Sequence, residues 1–374
     1  AAHLIDGRDG FEVWNKSFER RIDDIFGVQI EIAYLVVDAL VARLASGAQP
    51  ELKRVGGTAN ADAYDAFLRG NALYANAVDE ATDREALAMF DKAIELDQAY
   101  ALAHAARARS LMIIAGNYST GEEIGSHYND AQAAAERSVE IAPNLADAQS
   151  VLGFVLFYAR LDAQAALEPY RKSYELGFGN ADTLSRFARF AAQVGNFQDA
   201  HTAINRAKEL DPLNQGLLRS EAVIDYDARN FVRAARALRA ALRDNPKSPG
   251  PNYMLGNIAF LEGDLDAARN YYEAEPQQMA RTGGLAMIAF KSGETGTGES
   301  LLGSLADEFG DNSLYVRAQV RAQAGQLGEA LSMLEQALAI GDSGLVQLRN
   351  DPLLDGLRSD PAFTAMLAKI GFEV

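Results

Sequence analysis

A spacing of 34 residues recurs along the chain, and it limits the possible folds more than any other feature of the sequence. It holds in three registers, so one repeated supersecondary unit is predicted to be stacked many times over. The registers are Ala166, Ala200, Ala234 and Ala268; Pro212 and Pro246; and the turn pairs that begin at Gly195, Arg229 and Gly263.

Each repeated unit is predicted to contain two helices, and residues 181–212 show the pattern most clearly. Gly195 and Asn196 interrupt two apolar stretches of helical period, and Pro212 prevents the second helix from continuing. A single helix pair cannot bury its apolar face, so stacking of neighbouring pairs is expected to form the core. The apolar residues of the first helix fall at helical spacing, namely Leu184, Phe187, Ala188 and Ala191.

These residues resemble the tetratricopeptide repeat (TPR), a helix–turn–helix unit of 34 residues. The family has a small residue at position 8, Ala at 20, an apolar residue at 24, Ala at 27 and Pro at 32. The resemblance implies an all-α, right-handed superhelix with about eight units in residues 63–342, followed by capping helices in residues 343–374. The matching residues of the unit 181–212 are Ala188, Ala200, Ile204, Ala207 and Pro212.

Residues 1–45 lack the repeat, and residues 46–62 have the composition of a linker. Two short alternating stretches predict a β-hairpin within residues 3–18, and residues 22–44 have the pattern of an amphipathic helix. Because unpaired strand edges attract partners, the segment 3–18 is expected to form a homodimer contact or to pack across the array.

Residues 4–33 also resemble the end of a TolB-like α/β domain, which implies that residues 1–45 are the C-terminal remnant of such a domain. The resemblance is carried by Leu4-Ile5-Asp6, Gly10, Trp14, Arg20 or Arg21, Asp24-Ile25-Phe26, Gln29 and Ile32. Residues 348–372 resemble the closing segment of the same proteins, which include class III adenylate cyclases and CadC-type transcriptional activators. We therefore expect the natural protein to continue upstream of Ala1 into an effector domain.

Three functions remain open at this point. The first is a non-enzymatic protein–protein interaction and sensory module of a bacterial signalling or transcriptional regulator. The second is the regulatory region of a class III nucleotide cyclase, and the third is a freestanding scaffold for assembly in the cell envelope. A cytoplasmic location is favoured, or a periplasmic one if a transmembrane helix lies upstream.

Composition argues against several other classes of protein. Lys and Arg number 35 against 52 Asp and Glu, giving a net charge of −17, which disfavours contact with nucleic acid. No apolar run is long enough to span a membrane, and there are no cysteines for thiolate chemistry or metal thiolates. The four histidines are far apart in the sequence, so no catalytic, cofactor or metal site is predicted.

The resemblance implies a binding surface on the concave side of the superhelix. Positions 2, 5, 9, 12 and 13 of each first helix line that side, and the hollow is expected to be available to a protein or peptide partner. The alternative is that the aromatic residues among those predicted pack against neighbouring helices and do not bind a partner. The predicted groove residues are Arg109, Phe154, Phe157, Tyr158, Arg189, Gln193, Arg219, Tyr226, Tyr253, Asn257 and Phe260.

Overall fold

A computed structural model describes residues 2–5, 12–16, 56–77, 79–119 and 122–373. Strand β1 (Ala2–Ile5) pairs antiparallel with β2 (Glu12–Lys16), with Leu4 opposite Trp14. The helix predicted for residues 22–44 lies outside the described residues, as does most of the linker.

The rest of the described chain is helical, and the predicted all-α tandem array is confirmed. Consecutive helices pack as antiparallel pairs, numbered here from unit 1 (α1 and α2) to unit 8 (α15 and α16). The helices are α1 Ala61–Asn76, α2 Glu80–Leu96, α3 Ala101–Asn117, α4 Glu122–Ile141, α5 Ala146–Arg160, α6 Ala163–Leu176, α7 Ala181–Gln193, α8 Phe197–Leu210, α9 Gln215–Asp227, α10 Phe231–Asp244, α11 Pro251–Glu262, α12 Leu265–Ala274, α13 Gln278–Lys291, α14 Thr295–Phe309, α15 Leu314–Gln323 and α16 Leu327–Ile340.

The turns that repeat every 34 residues have a left-handed backbone. Gly195 and Gly263 have φ angles of 88° and 85°, which glycine adopts at little cost. Arg229 occupies the same register with φ of 63°, a conformation that is uncommon for a residue with a Cβ. The repeat therefore fixes the turn geometry even where the sequence lacks glycine.

Residue sizes match across the two helices of a unit. Where the second helix contributes an aromatic ring, the first helix has a glycine whose missing Cβ makes room for that ring. Where the second helix contributes an aliphatic side chain, the first has alanine, as with Ala188 and Ile204, which are both fully buried. The glycine and ring pairs are Gly70 with Phe90, Gly153 with Tyr170, and Gly256 with Tyr272.

Residues 343–373, called here the C-terminal segment, do not simply extend the array. They form two 3-10 helices, Ser343–Gln347 and Pro352–Leu357, and helix α17, Pro361–Ile370. The segment packs on unit 8, where Tyr315 donates a hydrogen bond of 2.8 Å to Asp351. The segment therefore packs against the last unit of the array.

The C-terminal segment also contacts units 3 and 4, far away in sequence. Gln164 Nε2 donates a hydrogen bond of 2.9 Å to the carbonyl oxygen of Gly371, 207 residues further along the chain. The Phe372 ring lies 6.0 Å from that of Phe157, and one core cluster includes residues of α5–α8, α15, α16 and the C-terminal segment. The hollow is thus partly filled by the chain itself, unlike the freely available hollow that the repeat pattern predicts.

Candidate partner-binding groove

The first helices of units 1 to 4 form a concave surface that the C-terminal segment leaves uncovered. Its cavity has a volume of about 550 Å³ and is called here the open groove. The lining side chains mix apolar, aromatic and charged groups: Phe67, Asn71, Tyr74, Ala75, Leu102, Arg109, Asp147, Asn180, Asp182 and Arg186.

A three-residue ion network lies at the floor of the open groove. Arg109 Nη1 is 2.7 Å from Asp147 Oδ2, and Arg186 contacts the other oxygen of the same carboxylate. Arg186 Nε also donates a hydrogen bond of 2.6 Å to Ser150 Oγ. Burial acts to raise the pKa of Asp147, but the two arginines outweigh it and lower the pKa below its usual value. The carboxylate therefore stays charged and holds both guanidinium groups in place.

The guanidinium of Arg109 connects this network to the aromatic wall of the groove. It lies 6.0 Å from the centroid of the Tyr74 ring, at the outer limit of a cation–π contact. Asp182, which also lines the groove, is exposed. The open groove thus offers two arginines, two aspartates and two aromatic rings, counting Phe67, within one cavity.

Three of the predicted groove residues form a second polar group further along the array. Tyr158 and Gln193 share a hydrogen bond, with Gln193 Nε2 3.0 Å from the Tyr158 hydroxyl. Arg189 Nη2 lies 3.5 Å from the same hydroxyl and is exposed. Phe154 packs beside this group, with its ring 4.8 Å from that of Tyr158.

Arg189 also lines a smaller cavity of about 270 Å³ together with Arg219. Both arginines are exposed, and the apolar part of the wall includes Val223 and Met254. The predicted residues Arg109, Arg189 and Arg219 are thus on accessible surface, although in two separate cavities.

Four other predicted residues are buried and do not reach either cavity. Phe157, Tyr226, Asn257 and Phe260 have exposed fractions of 0%, 7%, 3% and 3%. Phe157 packs edge-on against the Phe190 ring at 5.1 Å. For these four side chains the structure agrees with the alternative, in which they pack against neighbouring helices.

Tyr253 is half-buried and belongs to a polar cluster under unit 8. Its hydroxyl donates a hydrogen bond of 3.0 Å to Gln319 Oε1, and Gln319 Nε2 is 2.6 Å from Asp351 Oδ2. Asp227 lies near this cluster and is 9% exposed. Burial, followed by the charge of Asp351, raises the pKa of Asp227 to about 7.

The prediction missed Arg186 and the whole contribution of unit 1. Applied to the unit that starts at Ala63, positions 5, 9, 12 and 13 identify Phe67, Asn71, Tyr74 and Ala75, all of which line the open groove. The signal for unit 1 was therefore present in the sequence. Arg186 is at position 6, which the family pattern does not place on the concave face.

The histidines pair with neighbours of other kinds. His201 Nε2 is 2.9 Å from Asp225 Oδ1, and His127 Nδ1 is 2.8 Å from Ser119 Oγ. Within the described ranges, no three His, Asp or Glu side chains converge as metal ligands would. None of the helices described is both long and apolar enough to cross a bilayer.

Comparison with known sequences gives two matches. Residues 251–274, most of unit 6, match the family model for the tetratricopeptide repeat. A putative adenylate cyclase 3 from Rhizobium meliloti is 35% identical over 116 residues, which cover 30% of this chain. The aligned part is 18% of that relative, so the chain spans only a small share of its length.

Solved structures with a similar arrangement of helices have low sequence identity. Human IFIT1, as a dimer with PPP-AAAA, is 15% identical and has a TM-score of 0.50, covering 84% of this chain and 79% of that one. Yeast Tom70 is 17% identical, with a TM-score of 0.47 and coverage of 86% and 70%. The match of residues 251–274 to the tetratricopeptide repeat agrees with the fold of the described chain, which is a solenoid of stacked helix pairs.

Proposed function

We propose that this chain is a non-enzymatic interaction module that binds an extended peptide segment of a partner protein in the open groove. The observation that supports this most directly is the network of Arg109, Asp147 and Arg186 on the groove floor. It presents charged donors at fixed positions within a concave surface. Preorganised charged groups of this kind cost little entropy when a ligand binds.

The composition of the open groove favours a peptide with mixed character. Tyr74 and Phe67 supply apolar area, and aromatic and arginine side chains are the ones most enriched at the centres of protein interfaces. The guanidiniums of Arg109 and Arg186 each keep N–H groups available besides those that bind Asp147, because a guanidinium has five donors. An acidic side chain or a carboxyl terminus of the peptide is the natural acceptor.

We further propose that the module regulates a larger bacterial signalling protein. The similarity to part of a putative adenylate cyclase favours a cyclase as the effector, with the array as its regulatory region. A transcriptional activator of the CadC type is the other context that the sequence resembles. In either case peptide binding in the groove would report the presence of a partner to the effector.

Selection from a random peptide library on the immobilised chain tests the peptide proposal. Wild-type protein should enrich a family of sequences containing an acidic residue near an apolar one. The double variant Arg109→Ala with Tyr74→Ala should lose that enrichment, because both the charge and the aromatic wall are removed. Circular dichroism of each protein checks that the helices are retained.

A matched control is Leu213→Ala, which truncates a side chain that is 86% exposed and outside the groove. It should enrich the same peptides as wild type. Equal enrichment by the groove variant would mean that the peptides bind elsewhere, and no enrichment by wild type would remove the peptide proposal.

The cyclase context needs a separate experiment with the full-length protein. Its nucleotide cyclisation rate should change when a selected peptide is added, and the groove variant should not respond. A rate that is independent of a peptide known to bind would contradict regulation through the open groove.

A further inference from the structure

A third cavity lies where the C-terminal segment meets units 4 and 5. It has a volume of about 420 Å³, within the range of small-molecule sites, and it is called here the C-terminal cavity. The apolar part of its wall includes Leu367 of α17 and Phe197 at the start of α8. Phe197 is partly exposed and Leu367 is 7% exposed, whereas Phe363 of α17 also borders the cavity but is fully buried. The cavity is separate from the open groove and shares no lining residue with it.

Three arginines surround the C-terminal cavity on a chain that is strongly acidic overall. Asp355 pairs with Arg229 at 2.7 Å and with Arg358 at 2.6 Å. Arg349 has no carboxylate within ion-pair distance in the part of the chain that the structure describes, and its Nε donates a 3.3 Å hydrogen bond to the carbonyl oxygen of Glu373. Asp355 therefore pairs with two of the three guanidiniums, and Arg349 is left without an ion-pair partner among the described residues.

Two of these arginines are positioned by the backbone of the repeat turns. A Cβ at Gly195 would overlap the Arg349 guanidinium, so the glycine lets this side chain lie directly on the turn. Arg229 holds its left-handed backbone while its guanidinium bonds the carbonyl oxygen of Asn350. Such strained positions persist only where surrounding contacts maintain them, and they are often found at ligand sites.

The charge at Arg349 is incompletely balanced. Burial, and after it the neighbouring Arg358, lowers the pKa of Arg349. The charge of Glu373 acts in the opposite direction but does not cancel the effects of burial and of Arg358. A bound anion would offset both effects.

Asp227 contributes an additional polar group to the cavity wall. It is 9% exposed, and its carboxyl group accepts no hydrogen bond from the described residues. With its pKa raised to about 7, first by burial and then by Asp351, the group carries a proton in mildly acidic solution. The neutral carboxyl can then donate a hydrogen bond to a ligand oxygen. Arg189 and Arg229 lower the pKa of Asp227, but they do not outweigh burial and Asp351.

We propose that the C-terminal cavity binds a small organic oxyanion, with the anionic group bound by Arg349 and Arg229 and an apolar body against Phe197 and Leu367. Guanidinium groups suit carboxylate and phosphate because their paired N–H groups match the paired oxygens. Since the two arginines come from the C-terminal segment and from the turn of unit 5, the ligand would fasten the segment to the array. This goes beyond the peptide proposal, because it concerns a different cavity and ligand.

Thermal unfolding and titration calorimetry of the complete chain test the proposal with three probes: phenyl phosphate, benzoate and inorganic phosphate. Phenyl phosphate, benzoate or both should raise the melting temperature and bind more tightly than inorganic phosphate, which lacks the apolar body. Arg349→Gln should weaken binding by about tenfold or more, as expected from the loss of charge-assisted hydrogen bonds. Arg236→Gln, which changes an exposed arginine distant from the cavity lining, should bind as wild type does.

Arg349→Lys keeps the charge and serves if the glutamine variant does not fold. It should show intermediate affinity, because lysine cannot make the paired contact. The proposal is overturned if no aromatic anion binds wild type, or if Arg349→Gln binds unchanged. It is equally overturned if inorganic phosphate binds as tightly as the aromatic anions, since the apolar wall would then play no part.

Discussion

Asn350 Nδ2 lies 2.8 Å from the carbonyl oxygen of Ala192, which is 158 residues earlier in the chain. The same amide nitrogen is 3.0 Å from the carbonyl oxygen of Gln193. Both carbonyls belong to the last turn of α7. The Ala192 carbonyl also accepts a hydrogen bond of 2.8 Å from the Gly195 backbone N–H, whereas the Gln193 carbonyl accepts no backbone hydrogen bond from the described residues. One side chain of the C-terminal segment thus completes the end of a helix in unit 4.

Asn350→Ala should destabilise the protein by about 1–3 kcal/mol, because it leaves the buried carbonyl oxygen of Gln193 without a donor. Asn350 is 8% exposed, so water has little access to replace the amide. Urea unfolding measures the change, and limited proteolysis should show earlier cleavage within the C-terminal segment. Asn205→Ala, at an exposed position on α8, is the matched control. Equal stability of the two variants would mean that Asn350 does not fasten the segment.

Gly284→Ala should be destabilising although alanine is the better helix former by about 1 kcal/mol. Gly284 is buried in α13, and a Cβ there would overlap the Tyr272 ring, which is fully buried itself. Overpacking of this kind typically costs about 1–3 kcal/mol. Gly303→Ala in α14 is the matched control, since nothing lies within 4 Å of its added Cβ.

The control should stabilise the protein by about 0.5–1 kcal/mol, because only helix propensity changes. If the melting temperature falls for Gly284→Ala and rises for Gly303→Ala, the result supports the packing of Tyr272 between units 6 and 7. Stabilisation by both would show that the ring can move away at little cost.

Ala200→Leu should cost about 1–3 kcal/mol, since the side chain is fully buried where α8 packs in unit 4. Gln198→Leu adds a leucine to the same helix at an exposed position and should leave the unfolding midpoint nearly unchanged. If both variants unfold at the wild-type midpoint, the register assigned to the second helix is incorrect.

The free energy of unfolding of Asp227→Asn should increase relative to that of wild type as the pH rises. The folded-state pKa of about 7 is above the ordinary value of about 3.9, so the folded state binds the proton more tightly than the unfolded state does. Wild-type stability from this group is present at low pH and is lost as the pH rises through 7. Asparagine stays neutral and avoids that loss.

Chemical denaturation of both proteins between pH 4 and pH 8 measures this difference. The advantage of the asparagine variant should grow up to pH 7 and then level off. A difference that stays constant over the range would contradict the protonation of Asp227. Three charged groups act on the pKa of Asp227. Asp351 raises it, whereas Arg189 and Arg229 lower it.

The repeat registers identified the stacked helix pairs because each register marks a position where the local structure requires a particular type of residue. Gly195 and Gly263 mark a left-handed turn, and Ala188 marks the close approach of two helices. The same reasoning placed Arg109 on the concave side, where it lines the open groove. It did not separate exposed from buried aromatics, since Phe157 and Tyr158 are adjacent in the pattern but differ in exposure.

The sequence alone determined the unit, its period and the packing within and between neighbours, because those contacts join residues a few tens of positions apart. Only the tertiary structure decided that the C-terminal segment returns to units 3, 4 and 5. That return depends on the summed rotation from one unit to the next, which no single register encodes. The partly filled hollow and the arginines of the C-terminal cavity both depend on this long-range contact, which includes the hydrogen bond between Asn350 and Ala192.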